Sequence, residues 1–265
     1  FKHYALRRDH VRPRARHANA PFLQLTGHAC NLYAAAHDLQ EPLRKIQAFG
    51  NLLVSGFSES LEEDAQDCIR RMQSAAGRMQ TLVGDLLQLS RLSRNANPFE
   101  PVNLDETIRN VLVDLETRLS ETLGEVCCNG GLPALNADPT QMRQLFQNVI
   151  GNALKYNRPG VPPRIKIKAR HPTPEETPGG NEALALWRFE IEDNGIGFDD
   201  KYADQIFQPF RRLFGRGEYE GTGIGLAICR KIVERHGGEI HAVGRPGEGA
   251  TFIFVLPADQ KEAVE

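Results

Sequence analysis

From Pro21 to about Phe57 the apolar positions return every three or four residues: Phe22, Leu25, Leu32, Leu39, Leu43, Ile46 and Leu53. This spacing lines them along one face of a helix and predicts a single long amphipathic element. A second stripe starts at Ser60, which forms a capping box with Glu63, and runs through Ile69, Met72, Ala76, Met79, Leu82, Val83, Leu86, Leu87 and Leu89. With only "SGFSES" between them, the two helices fold into an antiparallel hairpin. Two helices alone cannot enclose both stripes, so pairing with a second copy into a four-helix bundle is expected. The sequence therefore predicts a homodimer.

The periodicity changes after "RNANPFEP", whose Asn and Pro residues mark a domain boundary near residues 95 to 101. Asn103 with Glu106 predicts a helix reaching about Ser120, and Asp138 followed by Pro139 opens another through Tyr156. "RIKIKAR" and "ALALWRFEIED" alternate with a period of two, as half-buried strands do. On the second, Ala185, Trp187, Phe189 and Ile191 share a face with Asp193, so an acid points to the apolar side at a strand end. The Pro- and Gly-rich stretch between these strands reads as a solvated excursion without chemistry. A helix from about Leu226 to His236 and the strands "EIHAV" and "ATFIFVLP" complete an open sheet with helices on one face, an α+β two-layer sandwich. The division expected is a basic linker over 1–20, a helical domain over 21–97 and an α+β domain over 98–265.

Composition changes this picture little. The 265 residues are 40% hydrophobic and 25% charged, enough for two ordinary domains, and the formal charge of -2 offers no argument for a nucleic-acid partner. The first twenty residues carry Lys2, Arg7, Arg8, Arg12, Arg14 and Arg16 against Asp9 alone, which reads as a solvated linker. Phe at position 1 suggests a fragment of a longer protein with an upstream sensor domain missing. No run approaches the ~20 apolar residues of a membrane span, so a soluble, cytoplasmic fragment is expected. Cys30, Cys68, Cys127, Cys128 and Cys229 form no metal spacing and read as reduced core thiols.

Two glycine-rich stretches, "DNGIGF" at 193 to 198 and "GTGIGLAI" at 221 to 228, carry the first chemical signal. Glycine lets backbone approach a bulky ligand or take positive φ without a Cβ cost. Gly221, Gly223 and Gly225 run directly into a helix, where free N–H groups and the helix dipole suit a phosphate. A Rossmann βαβ frame and a P-loop lysine are both missing. In "QLFQNVIGNALKYN", Asn148, Asn152 and Lys155 fall on one helical stripe, two amides and an amine able to hold hydrated Mg²⁺ and the phosphates it bridges.

Together these stretches resemble the catalytic core of a sensor histidine kinase over nearly the whole chain after residue 20. "HDLQEPL" with His37 is similar to the phosphoacceptor box, "NVIGNALKY" to the asparagine box, "DNGIGF" to the first glycine box, "IFQPFRRL" to the phenylalanine box and "GTGIGLAI" to the second glycine box. The wording is most similar to bacteriophytochrome-like and PAS-linked kinases. The resemblance implies a dimerisation and phosphoacceptor hairpin followed by a Bergerat (GHKL) ATP-binding domain. It implies that Asp193 accepts from the adenine amino group, with Gly195 and Gly197 beside it. Asn148 would help bind Mg²⁺, with Asn152 and Lys155 near the phosphates and Tyr156 against the base or ribose. Phe207 and Phe210 would anchor a lid running to Tyr219, and Arg212, or its neighbour Arg211, would reach the γ-phosphate. Gly221, Gly223 and Gly225 would wrap the phosphates, Thr222 and Leu226 would also contact ATP, and Thr251 would line the adenine end.

In this reading neutral His37 is the nucleophile for ATP, and Asp38 takes a hydrogen bond or proton from its other ring nitrogen. Pro42 leaves the Asp38 carbonyl without its helical donor, which suggests a bend giving access to His37. The phosphoryl group would then pass to an aspartate of a response-regulator receiver. Glu41 occupies the position four residues after the histidine where phosphatase-competent relatives commonly carry Thr or Asn, a departure that leaves phosphatase activity open. Gln144 stands where ATPases of the same fold use a water-activating Glu, which favours transfer to histidine over a hydrolysing clamp. A silent nucleotide-binding scaffold is the remaining alternative.

Overall fold

The computed structural model describes residues 25–57, 61–91, 97–173, 176–177, 185–215, 219 and 221–259. Two long helices, α1 (Leu25–Phe57) and α2 (Glu63–Arg91), form the hairpin. α1 continues across Pro42. The proposed cap at Ser60 lies outside the described residues, as does the linker over 1–20.

The hairpin's own core is small: Leu43, Ala76, Val83 and Leu87. Its register is set where the helices come closest. The side chain of Gln47 meets Gly77, and Gln73 Nε2 donates to Asn51 Oδ1 at 2.7 Å. A Cβ at Gly50 would stand 2.8 Å from Gln73 Cγ, so the glycine permits that approach. Leu39, Ile46, Leu53, Met72 and Met79 of the predicted stripes remain open, and apolar residues outside the predicted stripes are more exposed still. Phe49 is 64% exposed, Leu52 62% and Phe57 57%. At roughly 25 cal/mol per Å² such a surface is costly to leave in water.

The second domain opens with β1 (Glu100–Asn103), paired antiparallel to β3 (Ala134–Ala137). Between them lie α3 (Leu104–Asp114), α4 (Glu116–Thr122) and β2 (Glu125–Asn129). Asn103 caps α3 as its sequence suggests, its side chain accepting from the Glu106 N–H at 3.2 Å. The single helix expected as far as Ser120 is broken at Leu115, and α4 ends on Leu123 in the left-handed region at φ 53°. Leu123 is 73% exposed, so its side chain contributes little there. Leu123→Gly is expected to raise stability by about 1 kcal/mol, read as a shift in the denaturation midpoint.

The main sheet joins β2, β4 (Arg164–Arg170), β5 (Leu186–Asp193), β7 (Gly249–Pro257) and β6 (Glu239–Arg245) in that spatial order. β2 and β4 are parallel and the other pairs antiparallel. The register sets Ile167 beside Ile191 and Ile191 beside Phe252, so one apolar row crosses the sheet. α5 (Pro139–Lys155) and α6 (Gly225–Arg235) cover that row. Phe146 of α5 meets Phe254 edge-on at 5.8 Å, and Phe254 stacks on Phe189 at 5.0 Å. Glu190, Glu192 and Lys166 occupy the opposite, wetter face. The short strands β1, β2 and β3 carry too little alternation to be legible beforehand. Among the described thiols expected in the core, Cys229 is buried, whereas Cys68 on α2 and Cys127 and Cys128 on the sheet-edge strand β2 are exposed, and these four are free.

One buried cluster ties the start of this domain to α5 and α6. Asp138 caps α5 by accepting from the N–H groups of Thr140 and Gln141, at 3.0 and 3.1 Å. The same carboxylate accepts from the Asn97 N–H at 3.0 Å and from Arg235 Nη1 at 3.1 Å. His236 lies below it, its Nε2 accepting from the Asp138 N–H while Nδ1–H donates to the Ile232 carbonyl. Burial pushes the imidazole down to about 4, so it stays neutral and structural. Asp138→Ala would remove the cap and strand the Arg235 guanidinium. A loss of about 3 kcal/mol is expected in a urea denaturation of the domain.

Candidate active site

The site begins at the end of β5, where the chain needs an acid on an apolar face. Asp193 Oδ1 accepts from the Gly195 N–H at 2.8 Å and the Ala250 N–H at 3.2 Å. Burial nevertheless outweighs these donors and pushes the carboxyl up to about 6. Its neighbour Asn194 pins the loop, with Oδ1 accepting from Arg164 N–H and Nδ2 donating to the Pro162 carbonyl.

The glycines of "DNGIGF" serve the chain more than a ligand. A Cβ at Gly195 would overlap the Tyr156 carbonyl, and one at Gly197, whose φ is 62°, would overlap the Arg245 carbonyl. The loop is stitched from both sides: Ile196 N–H donates to Tyr156 O, and Gly247 N–H to Ile196 O. These glycines hold Asp193 in place by letting three backbone segments cross. In the second stretch, Gly221 has φ 138° and any Cβ there would stand 2.6 Å from Lys155 Nζ. Gly223 has φ 77°, and Gly225 opens α6 within ordinary contact of Asn148.

Two cavities meet in this region. One, of about 80 Å³, is lined mainly by apolar side chains, among them Phe198, Ile206, Phe214, Leu226 and Phe252, with Asp193 as its acid. The other is a polar cleft of about 660 Å³ between α2, α4 and α5, lined by Gln88, Arg118, Gln144, Asn148, Asn152 and Lys155 among others. Asn152 lines both. An apolar slot with one acid therefore runs into a polar cleft with amides and an amine, a layout suited to a planar base joined to a charged tail.

Asn148 Nδ2 donates to the Gly225 carbonyl at 3.3 Å, which fixes its oxygen as the free end of the amide. That end suits a hard cation that keeps most of its water and phosphate ligands, as Mg²⁺ does. Among the described residues no group of three or more His, Cys, Asp or Glu side chains could hold a metal ion without such help. Lys155 Nζ lies 3.1 Å from the Tyr156 hydroxyl and 4.5 Å above its ring.

Three positions in the lid and on the neighbouring strand β7 depart from expectation. Phe207 is an anchor, 2% exposed under the Arg230 guanidinium, but Phe210 is 57% exposed with φ 64° and anchors nothing. Phe214 takes that part, 5.7 Å from the Tyr156 ring, with Tyr219 4.9 Å from the same ring. Arg212, expected at the γ-phosphate, donates to the carbonyl oxygens of Gly215, Tyr219 and Gly221 and so ties both ends of the lid together. Arg211 donates to Gln205 Oε1 at 2.7 Å. Both arginines line the apolar slot. Thr251 lies on the far face of β7, because strand alternation turns Ala250 and Phe252 toward the slot. The alternation of "GATFIF" could have revealed that displacement by one residue.

His37 lies in α1, and its side chain and that of Asp38 are outside the described residues. The rest of the box is described. Glu41 pairs with Lys45 at 2.7 Å on the exposed side of the helix.

Residues 32–95 match the His Kinase A (phospho-acceptor) domain, and residues 137–260 match the histidine kinase-, DNA gyrase B-, and HSP90-like ATPase family. Phytochrome-like protein Cph1 of Synechocystis sp. is 39% identical over 225 residues, covering 85% of this chain and 28% of the relative. Cyanobacterial phytochrome A of Nostoc sp. is 39% identical over 230 residues, again covering 28% of its own length. The chain thus spans little more than a quarter of these relatives. Full-length ShkA, solved in complex with AMPPNP, superposes with a TM-score of 0.64 at 25% identity, covering 88% of this chain and 46% of that one. ThkA in complex with response regulator protein TrrA has the same fold, with a TM-score of 0.58 at 24% identity, covering 89% and 63%. A phospho-acceptor hairpin joined to a histidine kinase-like ATPase domain, together with phytochrome-like relatives, identifies this chain as a sensor histidine kinase catalytic core.

Proposed function

We propose that the chain moves the γ-phosphoryl group of ATP to His37 and then to an aspartate of a response-regulator receiver domain. The observation that carries this reading is the union, in one chain, of a phospho-acceptor hairpin bearing His37 with a base-and-phosphate pocket built on Asp193 and Asn148. In the first step the lone pair of a neutral His37 ring nitrogen attacks the γ-phosphorus. The bond from that phosphorus to the β,γ-bridging oxygen breaks, and ADP leaves with the electron pair. Asp38 takes the hydrogen bond or proton of the other ring nitrogen. In the second step the N–P bond breaks as an aspartate oxygen of the receiver bonds to phosphorus.

Asp193 accepts from the amino group of adenine, and the slot under Phe214 and Tyr219 holds the base. Lys155, Asn152 and the backbone from Gly221 to Gly225 face the phosphates, with Thr222 among them and Leu226 against the base. Asn148 would help hold Mg²⁺, which would supply charge neutralisation at the phosphates. Arg212 or Arg211 supplies a cation once the lid rearranges, since Arg212 is engaged with lid carbonyls here. Gln144 lines the phosphate cleft and cannot act as a base, which disfavours hydrolysis by a clamp-type ATPase. Glu41, already paired with Lys45, offers no neutral hydrogen-bonding group to position a water for dephosphorylation.

The open apolar face of the hairpin supports a homodimer, in which Phe49, Leu52 and Phe57 are covered by the second copy. Among the described residues no helix is long and apolar enough to cross a membrane. We assign both domains to the cytoplasm, where ATP is available. ThkA, of the same fold, is seen with a response regulator, which supports that class of partner. The test is incubation with γ-labelled ATP. Label stable in base, lost in acid and chased onto an added receiver domain is expected; steady ATP turnover without a labelled protein contradicts the reading.

A further inference from the structure

The kinase reading leaves open which subunit of the dimer supplies the phosphoryl group to a given His37. The turn joining the two helices, at residues 58–60, is outside the described residues, so the contacts of α2 must decide. On α2, Leu82 and Leu89 pack against the core of the catalytic domain, and Asp85 Oδ2 accepts from the Thr222 hydroxyl at 2.5 Å. Positions 82, 85 and 89 recur at helical spacing and share one face. Gln88, beside that face, lines the phosphate cleft with Asn148, Asn152 and Lys155.

The hairpin register gives the height of this contact. Gln47 meets Gly77 and Asn51 meets Gln73, so each step forward on α1 is a step back on α2. Continued along both helices, this register sets the backbone of His37 level with Leu87. Asp85 and Gln88 are within two residues of that level, about 3 Å along the helix axis. Thr222 is held firmly at its end of the contact. Its hydroxyl also accepts from the Ile224 N–H at 3.3 Å, immediately before α6, whose first residue, Gly225, is bonded to Asn148. A short chain of contacts therefore runs from α2, at the height of the acceptor, to the residue proposed to hold the metal.

We propose that Asp85 is a positioning residue that seats the catalytic domain on its own hairpin, so that His37 receives its phosphoryl group from the ATP bound by the same subunit. This rests on the kinase reading above. The transfer step is unchanged: the same N–P bond forms and the same P–O bond breaks, within one chain.

Two measurements test it. A hybrid dimer, isolated through two different tags, pairs a His37→Gln subunit with an Asn148→Asp subunit. Within-subunit transfer leaves the hybrid as unlabelled as either parent homodimer. Label near half the wild-type level overturns the proposal. Asp85→Leu in both subunits is expected to lower the labelling rate about tenfold with KM for ATP unchanged, and Asp85→Asn, which keeps an acceptor oxygen for Thr222, to restore it. An Asp85→Leu protein that binds ATP normally and labels at the wild-type rate also overturns the seating. An unlabelled wild-type chain overturns the kinase reading and the seating together, whereas a labelled wild type with a labelled hybrid overturns the seating alone.

Discussion

Asp193→Asn is expected to weaken ATP binding about 10²-fold while making the domain more stable. The affinity loss follows from the replacement of a charged acceptor: an asparagine that keeps its oxygen on the Gly195 and Ala250 N–H groups turns its own N–H groups toward the adenine amine. Hydrogen bonds to charged groups contribute about 1.5–3 kcal/mol, and a donor facing a donor adds the cost of an unpaired group. The gain in stability has the opposite origin. Burial raises the Asp193 carboxyl from 3.8 to about 6, so the folded state holds its ionised form at a cost of up to about 3 kcal/mol at neutral pH. A neutral amide avoids that cost.

The sign of the pH dependence follows. A carboxyl raised in the folded state destabilises fully above about 6, and the effect is lost progressively as pH falls from there to 3.8, while the folded form takes up a proton. The free site then presents a neutral acid, and ATP must displace that proton to bind. Affinity is expected to be level above pH 6 and to fall about tenfold per unit below it, a dependence that Asp193→Asn removes. Titration calorimetry of wild type and variant between pH 5 and 8 checks both halves of this expectation. Equal affinity in wild type and variant at pH 7.5 would remove Asp193 from the base-binding site.

What was readable beforehand has a physical pattern. The helices α1, α2, α5 and α6 declared themselves because each carries an apolar stripe, and α3 and α5 also begin on the side-chain caps Asn103 and Asp138. Asp193 was legible because an acid stood in phase with Phe189 and Ile191 on one strand. The strands β1, β2 and β3 were missed, being four or five residues each, too short for alternation to show. The break at Leu115 depends on how α4 packs, which no local signal announces. Phe210 and Thr251 were misjudged for another reason: a motif gives the neighbourhood of a residue, but the direction of its side chain depends on backbone geometry. Phe210 adopts positive φ and turns outward, and β7 alternation sends Ala250, not Thr251, to the slot. Phe214 and Tyr219, which close over Tyr156, had only their place in an aromatic-containing loop to mark them. The glycines of "DNGIGF" stand out in the sequence as room for a ligand, whereas in the fold their space is taken by the chain's own carbonyl groups, which no local pattern announces.

The second large effect concerns the acceptor. His37 is the nucleophile in the proposed reaction, and glutamine keeps much of its length and polarity without a nucleophilic ring nitrogen. The change lies in α1, far in sequence from Asp193, Asn148 and Lys155, so ATP affinity should be untouched. The most direct measurement is therefore γ-labelled ATP incorporation into His37→Gln beside wild type, with ATP affinity measured on the same preparations. The account predicts an acid-labile label on wild type and none on the variant, at equal affinity. Acid-labile label on a His37→Gln protein would contradict it.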